Sequence, residues 1–339
     1  MAFCTINKSN YFHNLSKITK KIDKDKIAVV IKNNAYGHGI LEIAKLANEY
    51  GIKHSVVCNI MEAKLVSSFF ETVLVLQDLP EKKIEQNIII TINSIESIKK
   101  IPKGTKVELK VDTGMHRNGV MVNELNDALD LILKLGLKLI GVFTHFSNAS
   151  KNDKSIYEQK NKFDNIRKVI NDDLRFKFNK IRYHCCSSSS IFRLDSNEYD
   201  LARIGIASYG YVQLTNEVKS PDLKPVLALW AEKIASKQIT EGDSVGYGKV
   251  FTAVKKMDVS TYDIGYGDGF LRLDGSDKAT IQNGNEILGV VSMNSFSAVG
   301  NAHKVCVFSD AQKLSNIHGT IVYEIISNIN PNIERKVIG

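Results

Sequence analysis

Between residues 27 and 206 the chain carries eight apolar runs of strand length: Ile27–Ile31, His54–Cys58, Thr72–Gln77, Asn87–Thr91, Lys106–Val111, Leu137–Thr144, Ile181–His184 and Ala202–Ile206. Most are separated by stretches of helical periodicity, such as Ile40–Tyr50 and Leu125–Leu135. Nearly continuous apolar strands alternating with amphipathic helices are the mark of a parallel sheet covered by helices. A doubly wound open sheet and a (β/α)8 TIM-type barrel both give this alternation. The count of eight, with polar residues at nearly every strand's carboxyl end, favours the barrel. The stretch 150–180 reads as a polar linker, although Ile156, Phe163, Ile166 and Ile170 fall near helical spacing.

After Tyr211 the texture changes. Pro221 and Pro225 mark a boundary, and strand-like segments then alternate with turns at Glu241-Gly-Asp243, Asp268-Gly269, Asp274-Gly275 and Asn283-Gly284. The chain therefore reads as an α/β barrel over 1–213 and an all-β domain over 214–339, with one short helical pattern near 311–314.

The net charge of 45 − 37 = +8 raises the question of a nucleic-acid partner. The basic residues are scattered, with no compact face interleaved with aromatics, so the expectation is no nucleic acid. The charge suits a small anionic substrate or a phosphorylated cofactor. The five cysteines lack CxxC or finger spacing, and neighbouring Cys185 and Cys186 are poorly placed to pair with each other. Reduced thiols, the lack of a signal-like start and the lack of a bilayer-length apolar run predict a cytoplasmic protein without membrane association.

Barrels place their chemistry at the carboxyl ends of the strands. Those ends supply Lys32 and Tyr36, then Lys110 and Asp112-Thr-Gly-Met-His-Arg117, then Thr144-His145, His184-Cys-Cys-Ser-Ser188 and Arg203-Ile-Gly205-Ile206. There is no pair of strand-end carboxylates for glycoside hydrolysis and no GxSxG elbow. His145 and His184 lack the acidic partners a metal would want, so no metal is expected. What remains is an amine nucleophile, desolvated at a strand end, beside hydroxyls and glycine-flanked amides suited to phosphate. A lysine with a phosphate site points to pyridoxal 5'-phosphate, held as an imine. Taken singly, each residue has a plainer explanation. Lys32 and Lys110 read as strand lysines with buried stems, His145 and His184 as core histidines, Tyr247 as a half-buried tyrosine, and Arg117 as a partner of Asp112.

The segments Lys32-Asn-Asn-Ala-Tyr36-Gly-His-Gly39, Asp112 to Arg117, Thr144-His145-Phe146, Arg203 to Ile206, Val245-Gly-Tyr247-Gly, Ile264-Gly-Tyr266-Gly-Asp268-Gly269, Val291-Ser-Met293 and Thr320-Ile-Val-Tyr323-Glu324 together resemble the ordered motifs of the alanine racemase family. The resemblance runs through nearly the whole chain. It implies a homodimeric pyridoxal-phosphate enzyme with active sites shared across the interface, and residues 1–8 available to add a strand to the β domain. It also implies Lys32 as cofactor lysine and one acid/base, and Tyr247 as the other, oriented by His145. Tyr36, Ser188, Gly205, Ile206 and Tyr323 would bind phosphate, with Arg203 facing the ring nitrogen. Arg117 and the Met293 amide would hold the substrate carboxylate, and Tyr266 would line the entry. Lys110 matches a lysine often carbamylated in this family.

The expected reaction is two-base exchange of the Cα proton, interconverting L- and D-alanine for peptidoglycan. The alternatives are a racemase of serine or a larger amino acid on the same scaffold, and a non-catalytic pyridoxal-phosphate carrier. Two positions depart from the family pattern: Asn294 where Asp is common, and Ser187 where Asn is more usual.

Overall fold

The computed structural model describes residues 1–215, 217–275 and 279–339. Contacts divide them into two compact units: Met1–Tyr11 with Asn34–Glu42 and Lys224–Gly339, and Phe12–Asn33 with Ile43–Leu223.

The second of these is the barrel. Its strands are Ile27–Val30, His54–Val57, Thr72–Val75, Ile88–Ile92, Lys106–Asp112, Lys138–Phe143, Arg182–His184 continued by Cys186–Ser187, and Ala202–Ile204. All neighbours are parallel. The seventh strand is interrupted at Cys185. Its first piece pairs with Lys138–Phe143, its second with Ala202–Ile204, and that strand pairs back to Ile27–Val30. Ile27–Val30 and Ile88–Ile92 are buried throughout, as strands covered on both faces must be.

Lys106–Asp112 differs. Val107, Leu109 and Val111 alternate with Glu108, Lys110 and Asp112, and all six are buried. The period-two alternation puts the three charges on one face. That face is the barrel interior, because Arg182, which pairs with Glu108, also donates to Thr72 Oγ1 on the third strand at 3.1 Å. The polar stretch after residue 150 is mostly helix, Ser155–Asp172, with Ile156, Phe163, Ile166 and Ile170 buried along one stripe. Apolar spacing, rather than overall polarity, was the informative signal there.

In the other unit the long strand Leu227–Ile239 organises a sheet. It pairs antiparallel with Phe3–Asn7, Met257–Tyr262 and Lys304–Phe308. Phe3–Asn7 also runs parallel to Glu334–Ile338. Among the described residues two short α-helices accompany this sheet, Gln312–Ile317 and Val322–Ser327. Only the first is foreshadowed by the sequence pattern; the second carries Tyr323.

The segment after the first barrel strand departs most from local preference. Lys32–Tyr36 forms one helical turn in which Asn33, Asn34, Ala35 and Tyr36 all have φ of 52°. A left-handed turn costs roughly 1–2 kcal/mol per residue for most L-amino acids, and asparagine tolerates it best. Hydrogen bonds hold its end. His38 N–H donates to Ala35 O at 3.1 Å, Gly39 N–H to Asn34 O at 3.0 Å, and Ile40 N–H to Asn34 Oδ1 at 2.8 Å. Gly37 follows at φ 80°, and a Cβ there would lie 1.9 Å from the Ile326 carbonyl oxygen. Only glycine permits that approach to the Val322–Ser327 helix.

Candidate active site

Arg203, buried on the eighth barrel strand, is the hub of the barrel-end cluster. Its Nη1 donates to His184 Nδ1 at 2.5 Å, and its Nη2 donates to the Thr144 carbonyl at 2.7 Å and to His145 Nδ1 at 3.3 Å. The guanidinium also lies over the Phe143 ring at 4.8 Å, and that ring stacks on His184 at 4.8 Å and 9°. Because a guanidinium can only donate, both imidazoles present bare Nδ1 atoms to it. Burial, followed by the charge of Arg203, holds His145 down at about 3. Neutral His145 then keeps its Nε2–H as a donor for another group.

Lys32, Lys110, Arg117 and Arg203 all bear electrostatically on His145, so four of the cations expected at the strand ends meet in one field. Burial first, then Arg117 and Arg203, lowers the Lys110 amine to about 8. Lys110 donates to Asn118 Oδ1, and Asn118 in turn donates to Asn93 Oδ1 at 2.9 Å. The loop carrying Arg117 is shaped by Asp112, whose Oδ1 accepts from the amides of Gly114 at 2.8 Å and Met115 at 3.0 Å. Asp112 faces His116 at 3.8 Å, whereas Arg117 is exposed. The Asp112–Arg117 pairing is thus replaced by an Asx-type turn that presents the arginine outward.

Ser188 lies in the same unit. Its Oγ accepts from the amides of Gly205 at 3.1 Å and Ala207 at 3.2 Å. With both acceptor positions taken, its own O–H is left to donate. The Gly205 amide therefore supports Ser188 from the neighbouring strand end. Ile206 is buried in the turn that follows.

In the β unit, Tyr36 and Tyr323 lie with ring centroids 5.8 Å apart. Burial, then the neighbouring Tyr323, pushes the Tyr36 phenol well above its usual range, and burial pushes Tyr323 up to about 12. Both remain O–H donors at neutral pH. Tyr247 sits in a turn between Gly246 (φ 75°) and Gly248 (φ 70°) and is 72% exposed. Tyr266 and Met293 are brought together by backbone: Tyr266 N–H donates to Ser292 O at 3.1 Å and Gly267 N–H to Met293 O at 2.8 Å. A Cβ at Gly265 would meet those two carbonyl oxygens at 2.2 and 2.4 Å, so the glycine is what lets the loops touch.

Sequence reasoning missed Glu108, Asn118 and Arg182. The signal for Glu108 was present: strict alternation in Lys106-Val-Glu-Leu-Lys-Val-Asp112 announces a polar inner face.

The class of fold is a parallel α/β barrel with a lysine at its first strand end and arginines and neutral histidines at later ones, carried in one chain with a β-sheet unit that bears two buried phenols. Residues 6–213 match the alanine racemase N-terminal domain and residues 226–337 the alanine racemase C-terminal domain. Similar chains include an alanine racemase of Campylobacter concisus, 38% identical over 98% of both chains, and one of Nitratiruptor sp., 40% identical over the full length of both. Among solved structures, alanine racemase of Clostridium difficile 630 superposes with TM-score 0.87 at 25% identity, over 99% of this chain and 95% of that one. The enzyme of Bacillus anthracis with bound L-Ala-P gives 0.87 at 26%, over 100% and 95%. The chain belongs to the alanine racemase family.

Proposed function

We propose that this chain is a pyridoxal-phosphate-dependent racemase that interconverts L- and D-alanine, supplying D-alanine for peptidoglycan in the cytoplasm. The observation that carries the reading is the cationic field of Lys32, Lys110, Arg117 and Arg203 around a neutral His145, in a member of this family.

The donor chemistry suits a phosphorylated, anionic cofactor. Ser188 has only its O–H to offer, and Tyr36 and Tyr323 stay protonated through the neutral range. When bound, pyridoxal phosphate supplies an electron sink that makes the Cα proton of an attached amino acid removable. Lys32 would hold the cofactor through its amine and would serve as one acid/base for the Cα proton. Tyr247 would serve as the other, with the Nε2–H of His145 as its orienting donor. Arg203 would face the ring nitrogen and, as a guanidinium that keeps its own proton, would not protonate it. Arg117, exposed on its braced loop, and the Met293 amide hold the substrate carboxylate; Tyr266, tied to Met293, narrows the entry.

Two finer features belong to the same reading. Lys110 is poised for carbamylation, because an amine titrating near 8 is partly neutral at physiological pH and can attack carbon dioxide. The working form is a homodimer with shared sites. The support is that Tyr247, Met293, Ile321 and Val254 leave 72%, 56%, 52% and 80% of their surfaces exposed in the β unit, as interface anchors would.

The deciding experiment is a chiral assay of the purified protein on L-alanine, L-serine and L-lysine, with Lys32→Ala alongside. The expected result is D-alanine formed fastest, and loss of bound-cofactor visible absorbance together with racemisation in the variant. A preference for serine or lysine would overturn the substrate, and an unchanged visible spectrum in Lys32→Ala would overturn the cofactor lysine.

A further inference from the structure

Beneath Arg203 the barrel interior holds a buried carboxylate that the reaction as described does not use. Glu108 is fully buried on the fifth strand. Its Oε2 lies 2.8 Å from His184 Nε2, and its Oε1 pairs with Arg182. The carboxylate rests on bare backbone: a Cβ on Gly141 of the next strand would meet Oε1 at 2.7 Å and Cδ at 2.8 Å. From this we infer that Glu108 is the positioning residue for Arg203, acting through His184 by dictating which imidazole nitrogen carries the proton.

The argument is one of donors and acceptors. Arg203 can only donate, so His184 Nδ1 must be bare. A neutral imidazole bare at Nδ1 carries its hydrogen on Nε2, and Nε2 faces an ionised carboxylate, which can only accept. Each proton in the run Glu108, His184, Arg203 has one consistent place. Burial holds His184 down at about 4; Glu108 lies at about 2, because Arg182 and His184 outweigh the burial that would raise it. Both charge states therefore persist through the neutral range. Phe143, stacked on His184 and under Arg203, fixes the planes in which these bonds form. The guanidinium is thereby braced by an anion two groups away that cannot itself protonate the cofactor ring.

Glutamine at 108 breaks this consistency without changing shape. It offers one acceptor where two donors, Arg182 and His184, now compete. With its oxygen on the charged Arg182, its NH2 faces His184 Nε2 and drives the imidazole hydrogen to Nδ1, opposite the Arg203 N–H. The inference rests on Arg203 being the cofactor-facing residue, so the test has one readout that needs no cofactor.

In 15N-labelled apoprotein at neutral pH, NMR should show His184 protonated at Nε2 and bare at Nδ1. Glu108→Gln should move the hydrogen to Nδ1, while Arg182→Gln, which disturbs the same ion pair from its other side, should leave it on Nε2. In the holoenzyme, Glu108→Gln should lower kcat by about 10–100-fold with KM little changed, the usual effect of losing an outer-shell orienting partner. A wild-type His184 that is doubly protonated or bare at Nε2 overturns the assignment even if Glu108→Gln does not fold. An unmoved tautomer in a folded Glu108→Gln also overturns it. A moved tautomer with unchanged kcat would leave the brace intact and refute instead the role of Arg203 at the cofactor.

Discussion

Gly141→Ala separates two physical arguments that predict opposite signs. Gly141 is absent from the residues of positive φ, so alanine meets no intrinsic backbone strain there. Reduced freedom of the unfolded chain would then stabilise the protein by about 0.4–1 kcal/mol. Against this, the new methyl would meet Glu108 Oε1, Cδ and Cγ at 2.7–2.8 Å, closer than Cβ atoms come to any neighbour. The carboxylate has no slack, because Arg182 and His184 hold its two oxygens. Seating the methyl requires pulling Glu108 off at least one partner, and breaking a buried ion pair costs about 3–5 kcal/mol. The net expectation is a loss of roughly 2–5 kcal/mol. Urea unfolding of the apoprotein, followed by its helical far-ultraviolet signal, measures it. The double variant Gly141→Ala with Glu108→Ala should lose less than the sum of the two single losses, because the clash vanishes with the side chain. A Gly141→Ala midpoint equal to or above wild type would refute the claim that the carboxylate is pinned.

Two other outcomes are expected. His38 and His184, both fully buried, are each held at about 4, His38 by burial against backbone hydrogen bonds that raise it. An unfolded histidine titrates near 6.5. As pH falls below that, the unfolded chain takes up protons first, so stability is full above about 6.5 and declines toward about 4, by about 3 kcal/mol for each histidine. Apoprotein melting temperatures at pH 7.5 and 4.5 check this, and a flat profile would show that these imidazoles are not neutral in the fold. Tyr247→Phe should bind cofactor normally yet racemise roughly 10²–10⁴-fold more slowly, the usual contribution of a general acid/base. Near-wild-type turnover would remove Tyr247 from the two-base scheme.

The sequence by itself was enough for the barrel, because strand-length apolar runs and helical spacing are local properties. All eight runs lie on barrel strands; seven of the strands lie within their run or extend one residue beyond it, and the seventh continues past its run as Cys186–Ser187. It was enough also to place Lys32, Arg203, His145 and Arg117 together at the strand ends, where they share one electrostatic field, since the fold class dictates where such residues sit. What only the tertiary structure decided is who answers whom. The left-handed turn at Asn33–Tyr36 runs against local preference and persists among tertiary constraints such as the close approach of Gly37 to the Ile326 carbonyl. The Ser188 hydroxyl is fixed as an acceptor by the amides of Gly205 and Ala207, 17 and 19 residues away in the chain. Glu108, Arg182, His184 and Arg203 come from three strands, and the proton positions among them follow from which acceptor lies within 3 Å of which donor. Periodicity can show that a face is polar; only closure of the barrel brings its charges within hydrogen-bonding distance of one another.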